Sequence, residues 1–510
     1  MTKRLVIVVG LILALGCCFI VQPVCAAQTL VVAMESPPKS MDPYSENDNA
    51  TMGVLSNIFD GLMQRHKGEG KIMPALAESY EHPDPFTWKF TLRKGVKFHN
   101  GNPFTAADVK YSYERLTNPE VSQFVDDGYM IASIETPDEF TVVFKTKYPV
   151  PWFIGNTHQI FIMDKKSSES RSEKEIENAP IGTGAYRMVE FVAGSHLKLE
   201  ANPGYWEEAP QVKNVEMKFI SDLVDRFVAL VGGPVLLLNS LPVEGVDMVK
   251  QNKTVDLVRR PARKVIYLVV SNRPGTPTAD LRVRKAMYMA INEDEIIKKV
   301  MLGQATAAAQ MPDPLTVGYN PDIKRLPYNP QEASRLLKEA GFEKGFEIAL
   351  AGPSDRYVMG GQICEAVAKD LAKVGIKVNL DFKPKAIFFA EVKENKHDFY
   401  LGGWLEGTYS SARTFSRHVH SIDKEKGYGD WNGSRSSDKD IDELLEKTNQ
   451  IADEAERAKN LQEANKMIME RVRVIPLHYE MDLYAISKKS GLEFTARPDQ
   501  WLVLKEMSKR

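Results

Sequence analysis

The sequence has 510 residues, of which 66 are Lys or Arg and 68 are Asp or Glu, so its formal net charge at pH 7 is −2. Acidic and basic residues are interspersed along the chain. This pattern excludes the basic stripe that a nucleic-acid-binding protein requires. The composition instead predicts a globular protein of two or three domains.

The first residues have the pattern of a secretory signal peptide. Lys3 and Arg4 precede the apolar run 5–21, and the small-residue stretch 24–27 follows it. The run is short for a helix that crosses a bilayer, which needs about 20 apolar residues. We therefore predict export to the periplasm, with residues 1–26 removed as a signal peptide.

Three of the four cysteines lie in this leader, at positions 17, 18 and 25. The mature chain would keep only Cys364, which cannot form an internal disulfide. An alternative is a lipoprotein anchored through an acylated Cys17 or Cys18, although Ala14-Leu15-Gly16-Cys17 is an imperfect acylation motif. We favour the unanchored form.

Apolar periodicity predicts strands and helices that alternate along the rest of the chain. The predicted strands are 29–34, 88–92, 140–144, 215–220, 376–382, 483–486 and a segment around Trp501, and the predicted helices are 50–63, 223–231, 362–374 and two within 437–473 that meet near Asp453. Asn329 before Pro330, with Gly341 eleven positions after Pro330, predicts a capped helix between them. The alternation favours an α/β architecture, and the apolar strand near 265–272 predicts a seam between two lobes.

Four groups of segments resemble the family 5 extracytoplasmic solute-binding proteins, which include the dipeptide, oligopeptide, glutathione and nickel receptors of ABC importers. The groups are Met41-Asp42-Pro43 with 57–62, Pro74–Ser79 with 92–101 and 104–109, Pro180–Tyr186, and Leu281–Ala286 with 328–330 and 340–341. Most of these residues have a structural explanation. Gly95 and Gly101 predict tight turns, and Asp108 lies where a carboxylate caps a helix.

The resemblance implies an α/β fold of two lobes, a three-part clam with a central ligand cleft. We expect a first lobe at 27–270 with an inserted subdomain at about 65–185, and a second lobe at 271–478. Residues 479–510 would return to the first lobe, with a second crossing near 476–486.

The same resemblance suggests which residues bind the ligand. Arg356 matches the arginine that holds the ligand carboxylate in the dipeptide receptors, and a guanidinium suits a carboxylate because it donates two parallel bonds. Gly403 would let backbone approach the ligand, and Trp404 would supply a flat apolar wall. The peptide-binding members have an aspartate three residues after this tryptophan that holds the ligand amine, but here that position is Gly407. Glu406 is the available substitute.

Four further side chains are candidate ligand contacts. Tyr409 belongs to the hydroxyl-rich stretch 408–411, which suits hydrogen bonds to a polar ligand or is an ordinary loop. Ser40 and Met41 are expected, by resemblance, to line the opposite side of the cleft. Tyr129 is a weaker candidate, since such a tyrosine is often part of a core.

His418 and His420 are the only close histidine pair, and on a strand both would face one side, where they could meet one metal ion. Since no carboxylate or cysteine obviously completes such a site, we predict no metal and no cofactor. His-Glu-x-x-His, Gly-x-Ser-x-Gly and phosphate-binding glycine motifs are absent from the sequence. A secreted hydrolase is therefore disfavoured.

The resemblance implies a solute-binding component of an ABC importer, which we expect to be a monomer that performs no chemistry and serves membrane permease subunits. A short or modified peptide is the favoured ligand. The alternatives are a different carboxylate-bearing solute, such as an opine-like compound, or a metal complex.

Overall fold

The computed structural model of the protein describes residues 29–510, without the side chain of Asp126. The predicted signal peptide, its cysteines and its cleavage site lie outside the described residues. Within residues 29–510, no helix is long and apolar enough to cross a membrane.

The described chain alternates between strands and helices throughout. The strands are β1 (Leu30–Met34), β2 (Met63–Arg65), β3 (Ile72–Pro74), β4 (Ala77–Asp84), β5 (Thr87–Leu92), β6 (Ile131–Asp138), β7 (Thr141–Thr146), β8 (Tyr186–Val192), β9 (His196–Ala201), β10 (Asn214–Phe219), β11 (Leu237–Leu238), β12 (Val255–Val270), β13 (Ala305–Ala307), β14 (Phe346–Pro353), β15 (Ile376–Lys383), β16 (Phe399–Trp404), β17 (Val474–Ser487), β18 (Leu492–Glu493) and β19 (Ser508–Lys509). The helices are α1 (Asn49–Leu55), α2 (Ala106–Leu116), α3 (Val125–Gly128), α4 (Phe153–Asn156), α5 (Lys165–Ser168), α6 (Glu173–Asn178), α7 (Leu223–Gly232), α8 (Val246–Gln251), α9 (Leu281–Ala290), α10 (Glu293–Lys299), α11 (Pro330–Glu339), α12 (Gly360–Ala372), α13 (Lys385–Lys393), α14 (Ser411–His418), α15 (Lys439–Asn449) and α16 (Glu454–Glu470).

One large mixed sheet runs through the molecule in the order β15-β14-β16-β12-β17-β11-β1-β10-β9-β8, with β13 beside β17. We call the side with β14 to β16 the second lobe and the side with β1 and β8 to β11 the first lobe. A separate antiparallel sheet, in the order β4-β5-β7-β6, falls within the segment predicted as an insertion.

The two lobes are joined by a ribbon of the two longest strands, β12 and β17, which pair antiparallel over most of their length. The end of β12, from Val265 to Val270, also pairs with β16 of the second lobe. The end of β17 pairs with β11 of the first lobe. The register of this pairing shifts between Pro261 and Val265 and again between Ile266 and Tyr267. Both predicted crossing segments lie in this ribbon.

The end of β12 is buried on both faces. Ile266, Leu268 and Val270 pack into one apolar cluster, and Val265, Tyr267 and Val269 pack into another. A strand covered on both faces has a continuous apolar sequence rather than an alternating one. This explains the unbroken apolar run that the sequence shows near residues 265–270.

Helix caps in the structure agree with the sequence signals. The Asn329 side chain accepts a hydrogen bond from the Glu332 amide at the start of α11, and Gly341, just beyond its end, has a φ of +87°. Asp453 caps α16, so the predicted division within 437–473 is confirmed. Asp108 accepts a bond from the Thr105 amide at the start of α2, so its predicted capping role is also confirmed.

Two predicted elements are wrong, and one side chain contributes to both errors. The predicted helix 50–63 ends at Leu55, because the Asn57 amide donates to the carbonyls of Gly53 and Val54. The same amide group donates to the Leu502 carbonyl and accepts from the Leu504 amide. The backbone near Trp501 therefore forms hydrogen bonds with the Asn57 side chain, and this segment is not a strand.

Candidate functional site

The cleft between the lobes lies at the carboxyl ends of parallel strands. In the second lobe, β14 is parallel to both β15 and β16. Arg356 follows the end of β14, and Trp404 is the last residue of β16. Loops at the carboxyl ends of parallel strands meet at one edge of the sheet, which is where α/β proteins bind ligands.

This edge opens into a cavity of about 530 Å³ between the lobes, which we call the first chamber. The second lobe contributes most of its wall and the first lobe contributes the opposite side. The lining residues are Asn47, Asn49, Gln123, Phe124, Asp127 and Gln159 from the first lobe, Tyr267 from the ribbon, and Arg356, Tyr357, Phe389, Val392, Lys393, Tyr400, Gly402, Gly403, Trp404, Leu405, Gly407, Arg413, Arg417, His418 and Trp431 from the second lobe. The volume is within the range of about 300–1,000 Å³ that is usual for small-molecule sites.

Two glycines at the end of β16 allow aromatic rings to form one wall of this chamber. A Cβ on Gly402 would lie 2.9 Å from the Tyr267 ring, and one on Gly403 would lie 2.5 Å from the Tyr357 ring. Any side chain at either position would displace a ring. Trp404 is half-buried beside them and extends the same wall.

Arg356 is exposed and lines the first chamber. Within the described part of the chain, no hydrogen bond or ion pair involves its guanidinium. All five of its donors are therefore available to a solute.

Asp127 lies at the opposite side of the first chamber. Among the described residues that line this chamber, it is the one that carries a carboxylate. It accepts hydrogen bonds from the Arg413 guanidinium at 2.8 Å and from the Asn156 amide at 3.2 Å. Lys393 also lines the chamber and lies 5.3 Å from the centre of the Trp431 ring. The chamber is therefore rich in positive charge, and its described carboxylate is already paired.

Glu406, the candidate amine partner, is only 3 % exposed and is engaged by its own loop and by the ends of β16 and α14. Its Oε1 accepts bonds from the Thr408 amide at 2.8 Å and hydroxyl at 2.6 Å. Its Oε2 accepts from the Thr414 hydroxyl at 2.7 Å and the Trp404 indole at 3.3 Å. These bonds hold Trp404 in place, and contact with a ligand amine would require them to break.

Tyr409 is buried between the lobes rather than in the first chamber. The Arg65 guanidinium, from β2, lies 3.9 Å from the centre of its ring, and that of Arg263, from β12, lies 3.3 Å from it. Arg65 also donates to the carbonyl of Gly407 in the same loop, at 3.0 Å. Tyr409 has a φ of +62°, so packing holds its backbone in a conformation that non-glycine residues seldom adopt.

The remaining candidates lie in different surroundings. Met41 is fully buried in the core, and the Ser40 hydroxyl accepts a hydrogen bond from the Asp42 amide in a local turn. Neither side chain lines the first chamber. Tyr129 is 45 % exposed and lines an adjoining cavity of about 500 Å³, which we call the second chamber.

The two histidines of the candidate metal pair are separated by the end of a helix. His418 is the last residue of α14, where it lines the first chamber against Trp404, with ring centroids 4.4 Å apart. Burial lowers the pKa of His418 to about 3. His420 packs on Tyr428 and lies near Glu446. Across residues 29–510, no group of three or more His, Cys, Asp or Glu side chains is arranged to hold a metal ion.

Sequence reasoning missed several residues that line the first chamber, in particular Asp127, Tyr267, Tyr357, Arg413 and Trp431. Tyr357 was recoverable, since it directly follows the candidate Arg356 in the sequence. The others come from segments far apart in the chain and carry no local motif. Arg284, within the motif Leu281–Ala286, is buried and donates to the backbone carbonyls of Thr278, Ala279, Arg471 and Val472, so its role is structural.

Comparisons with known proteins place this architecture in a family. Residues 71–425 match the family model described as "Bacterial extracellular solute-binding proteins, family 5 Middle". The chain is 31 % identical to the glutathione-binding protein GsiB of Pectobacterium atrosepticum over 399 residues, 76 % of this chain and 77 % of that protein. It is 28 % identical to the dipeptide-binding protein of Escherichia coli K12 over 436 residues, 79 % of this chain and 81 % of that protein.

Solved structures share the fold over almost the whole chain. HbpA2 from Haemophilus parasuis has a TM-score of 0.85 at 22 % identity, covering 94 % of this chain and 100 % of that one. The periplasmic binding protein AgaA from A. tumefaciens R10, in complex with agropinic acid, has a TM-score of 0.78 at 26 % identity, covering 94 % and 99 %. The predicted two-lobed α/β fold with a central cleft is therefore confirmed, and the chain belongs to the family 5 extracellular solute-binding proteins, the solute receptors of ABC importers.

Proposed function

We propose that the protein captures a peptide-like solute that carries a carboxylate, holds it in the first chamber, and delivers it to the permease subunits of an ABC importer. The observation that carries this proposal is the Arg356 guanidinium, which is exposed in the first chamber with no described partner. A ligand carboxylate can accept two of its N–H groups in parallel. The adjoining wall of Tyr357 and Trp404 suits the apolar parts of such a ligand.

The charge of the first chamber supports the carboxylate more strongly than it supports a free amine. Arg356 and Lys393 face the cavity, whereas Asp127 is held by Arg413 and Glu406 is held by its own loop. An ammonium group would find no unpaired carboxylate among the described lining residues. We therefore favour a solute whose amine is modified or lies outside this chamber.

A second candidate ligand is a non-peptide acid. The protein AgaA, solved with agropinic acid, is 26 % identical to this chain over nearly its whole length. The same unpaired guanidinium and the absence of an aspartate at position 407 are compatible with such an acid.

We also propose that the protein works outside the cytoplasm as a monomer, after removal of residues 1–26, and that it performs no chemical step on its ligand. The family supports this proposal, because its members are the extracellular substrate-binding components of ABC transporters. The division at 27–270, 271–478 and 479–510 is our proposal for the lobes. Mass spectrometry of the exported protein would identify its first residue and any acyl group on Cys17 or Cys18.

The proposal predicts that Arg356→Ala weakens binding at least tenfold, since a hydrogen bond to a charged group contributes about 1.5–3 kcal/mol. N-acetyl-Ala-Ala and any solute that is released from the purified protein would be the ligands, measured by calorimetry. The melting temperature of the empty protein should stay unchanged, because Arg356 is exposed and has no described partner.

Arg259→Ala is the matched control, since it removes an exposed arginine from a cavity at the ribbon instead of the first chamber. It should leave the affinity unchanged. Equal binding by wild type and Arg356→Ala would refute the proposed anchor. Loss of folding in Arg356→Ala would show that this arginine is structural.

A further inference from the structure

The first chamber adjoins the second chamber. The two cavities share six lining residues, Asp127, Val392, Lys393, Arg413, Arg417 and Trp431. Their volumes are about 530 and 500 Å³, and each alone is large enough for a small-molecule ligand. A dipeptide in the first chamber would leave the second chamber to water.

The second chamber has a lining suited to an apolar group. It contains five aromatic side chains, Tyr129, Tyr148, Trp152, Tyr428 and Trp431. Two arginines at its junction with the first chamber are paired, because Arg413 binds Asp127 and Arg417 donates three hydrogen bonds to Asp430. The third cation there, Lys393, lies over the Trp431 ring. Aromatic rings with exposed faces contribute most when they cover another flat or apolar group.

The loop 421–433 forms one side of the second chamber and brings a glycine against two of these rings. Gly427 has a φ of +67°, and a Cβ there would lie 3.5 Å from the Tyr148 hydroxyl and 3.8 Å from the Tyr129 ring. A side chain at this position would therefore occupy the space beside both rings. Glycine adopts the left-handed backbone conformation readily, and its lack of a side chain leaves the space beside the two rings open.

We infer that the second chamber is a subsite for a bulky apolar or aromatic group, carried at the end of the ligand remote from the carboxylate bound by Arg356. The inference rests on the proposed function and extends it, since it assigns a substrate class. That class is a peptide-like acid whose amine end bears an acyl or aryl substituent. Such a ligand fills both chambers and places no free ammonium in the first chamber.

The test compares two probes that share the carboxylate end and differ only in the blocking group. N-acetyl-Ala-Ala has a small group, and N-benzyloxycarbonyl-Ala-Ala has a large aromatic one. Calorimetry on the mature wild-type protein should show at least tenfold tighter binding of the aromatic probe. Tyr129→Ala should reduce this advantage to threefold or less, because it removes one aromatic wall of the subsite.

Tyr328→Ala is the matched control for this variant. Tyr328 is 40 % exposed against 45 % for Tyr129, and each carries a lysine near its ring, Lys373 and Lys147 respectively. Tyr328 lies outside both chambers, so its variant should keep the full advantage of the aromatic probe.

Gly427→Asn tests the subsite by filling it instead of removing a wall. Asparagine tolerates the left-handed backbone conformation, and its side chain should exclude the aromatic probe while the acetyl probe still binds.

The outcomes separate the subsite from the proposed function. If both probes bind wild type equally, and Arg356→Ala weakens both, the carboxylate anchor stands and the subsite is refuted. The subsite is also refuted if Tyr129→Ala and Tyr328→Ala retain the same advantage. If neither probe binds at millimolar concentration, both the subsite and the peptide-like ligand are refuted.

Discussion

Arg356 and Glu406 are both charged residues in loops at the cleft edge, but the structure gives them different roles. Arg356 is exposed and has no described partner, whereas each Glu406 oxygen accepts two hydrogen bonds. A buried carboxylate with its hydrogen bonds satisfied supports the loop around it. A side chain that has free donors in a cavity is the better ligand contact.

Asp482 is a residue whose surroundings give it an unusual titration. It lies on β17 within the ribbon, near Glu480, Lys264 and Arg260. Burial raises the pKa of Asp482 to about 7, although a hydrogen bond from the Gln500 amide opposes the rise. Folding therefore favours the protonated acid.

This environment predicts a loss of stability as the pH rises. The pKa of an unfolded aspartate is about 3.9, so between about pH 4 and pH 7 the folded state binds this proton more than the unfolded state does. Between pH 5 and pH 8 the unfolding free energy of the wild type should fall, relative to that of Asp482→Asn, by on the order of 2 kcal/mol. The variant serves as the reference because its asparagine side chain does not titrate. Urea unfolding of both proteins at the two pH values measures the difference.

Asp294→Asn, at an exposed position on α10, is the control for the loss of a surface charge. Its stability should change with pH in parallel with that of wild type. Parallel curves for Asp482→Asn and wild type would contradict the raised pKa of Asp482.

At the scale of elements, the loop 405–410 between β16 and α14 connects the cleft to the ribbon. Its Glu406 holds Trp404 on the chamber side, while its Tyr409 inserts between Arg65 of β2 and Arg263 of β12. Arg263 is itself fixed by two bonds to Asp313. The loop is therefore attached at once to the first lobe, the ribbon and the second lobe.

We predict that Tyr409→Ala destabilises the protein by about 3 kcal/mol, because it removes a buried ring and two cation–π contacts. Tyr409→Phe keeps the ring and loses only a hydroxyl, which has no hydrogen-bond partner among the described atoms. Its unfolding free energy should stay within about 1 kcal/mol of wild type. Chemical denaturation of the three proteins makes the comparison, and equal losses in both variants would show that the ring contacts are not what stabilises the loop.

At the scale of the whole molecule, the two lobes meet across the cleft as well as through the ribbon. The clearest such contact is the ion pair between Asp127 of α3 and Arg413 of α14, whose two side chains are 13 % and 12 % exposed. A ligand drives closure only when the closed form has contacts that the open form lacks. The Asp127–Arg413 pair lies at the junction of the two chambers, and we predict that opening of the cleft breaks it.

Asp127→Asn should therefore accelerate ligand release about tenfold, since loss of a partly buried charge pair costs about 1–2 kcal/mol. Stopped-flow dissociation of the probe that binds wild type measures the rate. Asp398→Asn is the control, because Asp398 pairs with Arg273 and Arg435 away from both chambers. Unchanged release from Asp127→Asn would mean that the pair does not hold the lobes together.

Local sequence signals predicted many of the elements and several of their boundaries. Asn329 and Asp453 cap helices because their side chains satisfy backbone amides a few residues away, so the information lies in one short segment. The apolar run near 265–272 predicted a strand, and the structure shows that this end of β12 is buried on both faces. The predicted helix 50–63 ends early, at Leu55, where the Asn57 amide bonds to two local carbonyls and also to the Leu502 carbonyl. No local pattern contains the contact with Leu502.

The sequence by itself determined the alternation of strands and helices, the family motifs and the choice of Arg356 as a candidate ligand contact. Only the tertiary structure decided which candidates reach the cleft: it buried Met41 in the core, engaged Glu406 within its loop and stacked Tyr409 between two arginines. It also brought Asp127 to Arg413, residues that lie far apart in the chain. The physical reason is that a strand or a cap depends on neighbours in the chain, whereas a binding site depends on which polar groups remain unpaired after distant segments have packed.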